Sequence, residues 1–101
     1  MPRLFIAAAL VLAAPWAWAH QDTHLARNLA ATCANCHGTN GNARGEMKPL
    51  AGVAAASIVA AMADFKSGAA SATIMHQIAK GYSDEQLRLI AGYFAAQRPA
   101  K

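Results

Sequence analysis

Apolar residues along the chain fall into blocks separated by small or polar stretches. The first block, residues 4–16, is uncharged and has no polar face. In the second, Leu25, Leu29 and Cys33 recur every four residues with Ala26 and Ala30 beside them. That spacing predicts a helix over about residues 23–34, capped by Asp22 or Thr23. A third stripe, Ala54, Ile58, Ala61, Met62 and Phe65, predicts a helix over about residues 53–66, stopped at Ser67-Gly68. A short helical piece is expected over about residues 72–80, ending at Gly81. The last helix is the best marked. Ser83-Asp84-Glu85-Gln86 reads as a capping box with acids in the first turn. Leu87, Ile90, Ala91, Phe94 and Ala95 follow on one face, and Pro99 lies past the end. Ala26 and Ala30 on the first helix and Gly92 on the last are small enough to permit a close crossing. No run alternates as a strand would, so the expected fold is all-α.

The first block changes the domain picture. Met1-Pro2-Arg3 is a short basic start, the apolar run follows, and Ala17-Trp18-Ala19 closes it with small residues. This is the layout of a secretory signal peptide over residues 1–19, leaving a domain over residues 20–101. A membrane anchor needs roughly 20 apolar residues. This run is shorter and is interrupted by Pro15. The expectation is a cleaved, exported, soluble domain with no membrane association after cleavage. Its 82 residues, 101 less 19, place it near the margin of stability. Much of its apolar content is alanine, which buries little area, so something else is expected to complete the core. Net charge drops from +4 to +3 when Arg3 leaves. Lys and Arg are scattered, which argues against a nucleic-acid partner.

Two cysteines in an exported chain ordinarily suggest a disulfide. Here they stand three apart and a histidine follows at once: Cys33-Ala34-Asn35-Cys36-His37. This is the C-x-x-C-H pattern of covalent c-type haem attachment. Residues i and i+3 of a helical turn face the same way, so both thiols can reach the two vinyl groups of one porphyrin. His37 then falls beneath the iron as an axial ligand. A thioredoxin-like pair would need a strand before the motif, where the pattern is helical. A zinc site would need a second Cys/His pair; His20, His24 and His76 stand singly and read as surface residues.

A low-spin electron carrier needs a second strong axial ligand, commonly methionine sulfur. Met47, Met62 and Met75 follow the motif. Met47 lies in a loop with Asn40, Gly41 and Gly45, expected on the histidine side and poorly placed to reach the opposite face. Met62 sits on a helical stripe, where core filling is the commoner role. Met75 follows the flexible stretch of residues 67–73 and is the better candidate on position, with Met62 next. His76 adjoins Met75, but consecutive helical residues point in different directions.

Together these residues resemble the class I c-type cytochromes over essentially all of residues 20–101. The resemblance implies a helical wrap around one covalently bound haem c, a monohaem domain with His37 and a later methionine on the iron. Met47-Lys48-Pro49-Leu50-Ala51-Gly52 is similar to a proline-leucine-glycine loop of one branch. The stretch from Thr73-Ile74-Met75-His76 to Ser83-Asp84-Glu85 is similar to the ligand region in cytochrome subunits of flavocytochrome c sulfide dehydrogenases. In that family the corresponding methionine ligates iron, which implies the role for Met75. A flavin subunit that oxidises sulfide supplies the electrons there, which implies a flavoprotein among the redox partners. Relatives often carry proline where Lys48 stands, and a backbone carbonyl there receives the ligand histidine's ring N–H; Lys48 or Pro49 could serve.

The expected function is therefore periplasmic one-electron transfer with no substrate chemistry on this polypeptide, either as a subunit docked on a flavoprotein or as a free shuttle. Other classes are a haem-based sensor with an open sixth position, and peroxidase-like catalysis, for which His76 is the nearby acid–base candidate. Lys48, Lys66 and Lys80 are candidates to border the haem edge and steer acidic partners.

Overall fold

The computed structural model describes the backbone of residues 16–100 and the side chains of residues 23–100. The leader expectation lies mostly outside the described residues; of it, only the backbone of residues 16–19 is described. Five α-helices and one 3-10 turn follow in order, with no strand among the described residues. They are α1 (Trp16–Ala31), α2 (Ala34–His37), the 3-10 turn (Thr39–Gly41), α3 (Ala55–Ser67), α4 (Met75–Lys80) and α5 (Asp84–Ala95). The all-α expectation holds.

Helix α1 differs from its expected bounds at both ends. It begins at Trp16, so Asp22 and Thr23 are helix-interior residues rather than caps. No glycine or proline interrupts residues 16–31, so nothing in the backbone chemistry starts the helix later. Its end comes early because the chain tightens at Thr32 and Cys33. The Thr32 hydroxyl donates to the Leu29 carbonyl at 3.2 Å, and the Cys33 N–H bonds the Ala30 carbonyl three residues back at 3.0 Å. The C-x-x-C-H motif thus occupies a turn of its own, α2. Met75, rather than residue 72, opens α4, because Ile74 sits at a non-helical φ of −139°. Helix α3 stops at left-handed Gly68, as expected. Both halves of the α5 capping box form: Gln86 N–H to Ser83 Oγ at 3.1 Å and Ser83 N–H to Gln86 Oε1 at 2.9 Å.

The core joins α1, α3 and α5 through Ala30, Ile58, Leu87, Ile90, Ala91 and Phe94. Ala26 and Ala30 are buried where α1 meets α5, while Leu25 is 47% exposed. The small residues therefore sit at the crossing, with Leu29 packed half-buried against the core and Leu25 turned outward. Gly92 takes no part in it. It is exposed, and a Cβ there would meet nothing within 4 Å. The close approach comes from alanines alone, with Ala91 fully buried beside it.

Between α2 and α3 the chain makes a long loop that folds back on itself at Gly41. Its carbonyl accepts from Leu50 N–H at 2.9 Å and Ala51 N–H at 3.1 Å. Glycine is required here, because φ is +77° and a Cβ would lie 2.7 Å from Ala51 N and 2.9 Å from Phe94 Cδ1. This loop brings Lys48 back toward His37.

Candidate haem-binding cleft

An apolar cleft of about 320 Å³ opens between the α2 turn, the loop, and helices α3, α4 and α5. Cys33, His37 and Lys48 line one part; Met62, Phe65, Met75 and Ile78 line another; Ile90 and Phe94 lie beneath. Cys33 sits at the head of the α2 turn, its carbonyl accepting from Cys36 N–H at 3.3 Å and His37 N–H at 2.9 Å. That turn sets His37 into the cleft one residue after Cys36.

His37 Nδ1 lies 2.7 Å from the Lys48 carbonyl oxygen. A carbonyl only accepts, so Nδ1 carries a proton, which leaves Nε2 as the ring nitrogen available to a metal. Of the two acceptors left open by the sequence, the structure uses Lys48. A histidine held this way is arranged to ligate through Nε2. The imidazole, the half-buried Cys33 thiol and the apolar lining fit a large apolar group carrying a metal. Both cysteines are free thiols. Burial pushes the Cys33 thiol above its usual range. Cys36 is exposed and lines a neighbouring open groove with Ala34, Gly38 and Asn42. Of the two thiols expected to face the same way, only Cys33 lines the cleft.

All three described methionines after the motif line the cleft. Met47 is 44% exposed and belongs to the loop that carries the Lys48 carbonyl, on the His37 side as expected. Met62 also packs against the core cluster. Met75 opens α4, which packs on α3, whereas α2 packs on α1 and the 3-10 turn. Met62 and Met75 therefore reach the cleft from α3 and α4, elements other than the turn and loop that hold His37.

Three surface expectations are corrected. His76 is half-buried, lies in a separate groove with Phe65, Lys66 and Lys80, and has a buried Nδ1 without a hydrogen-bond partner. At 3.6 residues per turn it is rotated away from Met75, so it does not line the cleft. Lys66 does not border the cleft either; its Nζ donates to the Tyr82 carbonyl at 2.7 Å and pairs with Asp84 at 3.5 Å. Lys80 lines the His76 groove, which leaves Lys48 as the lysine at the cleft. His24 is exposed, as expected.

Sequence reasoning missed the polar residues that fasten the loop. Tyr93 donates its hydroxyl hydrogen bond to Asn40 Oδ1 at 2.6 Å, and Asn42 bonds the main chain of Arg98 and Ala100. These pairs are more than fifty residues apart, and no local pattern announces them.

No family model matches the chain. The cytochrome subunit of sulfide dehydrogenase from Chlorobaculum tepidum is 42% identical over 66 residues, covering 65% of this chain and 60% of that one. The chain is similar to this cytochrome subunit over that stretch. It covers less than two thirds of that protein's length. Its described residues are all-helical, in keeping with that similarity. No helix among them is long and apolar enough to cross a membrane.

Proposed function

We propose that this chain is an exported electron carrier with one haem c, linked through Cys33 and Cys36 and ligated by His37 and Met75. One observation carries the reading: an imidazole with its Nδ1–H fixed by a main-chain carbonyl, standing in an apolar cleft with Cys33 and Met75. The relationship to a cytochrome subunit supports electron carriage. When bound, the haem supplies a one-electron couple at its iron.

The remaining work falls to the chain. Cys33 and Cys36 hold the group permanently by thioethers. The Lys48 carbonyl fixes the His37 tautomer and ring direction and strengthens its donation. Met75 presents a soft thioether, which favours ferrous iron and raises the potential. Ile58, Met62, Phe65 and Phe94 keep water from the cleft. Held by His37 and Met75 together, the iron would have no position left for a substrate, which suits electron transfer alone. The bound group also completes a core that alanine cannot fill.

The donor we propose is a sulfide-oxidising partner in the periplasm, a flavoprotein as the sequence resemblance implies; the similar protein is named as a subunit of sulfide dehydrogenase. A second reading, a free periplasmic shuttle, draws on the 60% coverage, which leaves part of the relative unmatched. Co-purification separates them: recovery only as a free monomer removes the subunit reading.

The central test is a denaturing gel stained for covalently held haem, run on protein exported by a competent host. The chain is expected to stain and the Cys33→Ala/Cys36→Ala variant to stay blank. A wild-type chain that is colourless after denaturation and acid extraction sinks the proposal. Carbon monoxide added to the reduced protein should leave the spectrum unchanged; a shifted spectrum would instead indicate the open site of a sensor.

A further inference from the structure

We propose that Asn42 is a positioning residue for His37, latching the loop that carries the Lys48 carbonyl onto the segment that follows α5. The inference rests on the haem reading above. The His37–Lys48 bond is only as constant as the placement of residues 43–49. Among the described residues, that stretch reaches no other element by a hydrogen bond except through the Lys48 carbonyl. Residues 44–49 are exposed, so burial does little to hold them. The loop must therefore be held at its ends.

Asn42 supplies one hold. Its Oδ1 accepts from Ala100 N–H at 2.6 Å and its Nδ2 donates to the Arg98 carbonyl at 3.3 Å. Opposite demands on the two ends of one amide fix its orientation. The end of α5 and the segment after it hold the far end of the loop. Gly52 N–H donates to the Phe94 carbonyl at 2.9 Å. At Gly52, with φ at +73°, a Cβ would come 2.8 Å from Pro99 Cγ. Residues 97–100 thus lie across both ends of the loop, and among the described residues Asn42 makes the only side-chain hydrogen bonds from the loop to them. Releasing that latch frees the carbonyl to drift from the imidazole without unpacking the helices.

The test uses the reduced, haem-loaded protein and follows hydrogen exchange of the His37 Nδ1–H by NMR, with global stability measured on the same samples. Asn42→Ala removes both bonds; Ala100→Pro removes the shorter one by deleting its N–H. Each is expected to speed ring-proton exchange about tenfold beyond any change in the global unfolding equilibrium. Combining them should add nothing further, and Asn42→Asp, which keeps the acceptor, should retain most of the protection. Exchange that stays unchanged, or that rises only in step with global unfolding, overturns the latch. Haem staining of the same samples keeps the two ideas apart. A blank wild type removes the haem reading, whereas a stained protein with unaltered exchange removes only the latch.

Discussion

His37 and Met75 line the same cleft, but one is fixed by hydrogen bonds and the other by packing. On the histidine wall, Cys33 and Lys48 carbonyls, the Gly41 turn and the Asn42 contacts specify position and direction. On the methionine wall, α4 has no side-chain cap, and Ile74 in front of it is 58% exposed. Met75 is placed by the packing of α4 on α3, with Ala79 fully buried as its anchor. The difference suits the roles proposed for the two side chains. An imidazole must have the right nitrogen protonated and its ring plane aimed, which calls for a directional partner. A thioether has no proton to place and three rotatable bonds to adjust with, so approximate packing suffices.

The comparison can be broken most sharply at Met75. Met75→Ala should abolish the weak sulfur-to-iron absorption in the near infrared and lower the potential, while Met62→Ala and Met47→Ala leave the band in place. If Met62→Ala removes the band and Met75→Ala does not, the two thioethers on that wall have been assigned in the wrong order. Phe94 belongs to both walls, since it lines the cleft, is 1% exposed and lies against Gly41. Phe94→Ala should cost about 3–5 kcal/mol in denaturant unfolding and loosen both sides together. Ser83→Ala should cost about 1 kcal/mol by the same measurement, because it removes a cap that lies outside the cleft lining. The visible haem bands should not move. The smallest effect is a gain: Gly92→Ala, on an open helix face, should stabilise by up to about 1 kcal/mol. A loss there would restore the tight crossing that the structure does not show.

Legibility in the sequence follows the same division. The α5 cap, the Gly68 stop and the motif turn arise from bonds between near neighbours, so short windows reveal them. Even so, the motif's separation from α1 was hidden, because Thr32 and Cys33 keep a helical pattern while their bonds tighten the turn. The packing of α4 on α3 joins stripes with no local mark of partnership. Three methionines reach one cleft from three segments, and spacing alone ranks them without deciding between them. His76 looked like a surface residue because burial of a single polar atom leaves no trace in the pattern. Gly92 misled for the opposite reason: a small residue allows close contact but does not require it.

Lys66 shows how a charge can be used up inside a molecule. Its ammonium group braces α3 against the turn before α5, and the Asp84 carboxylate beside it cancels most of its field at a distance. Beyond a Debye length of about 8 Å at physiological ionic strength, an approaching protein would sense that pair as nearly neutral. Long-range attraction for an acidic surface must then come from cations without such a neighbour, and a census of lysines overstates it.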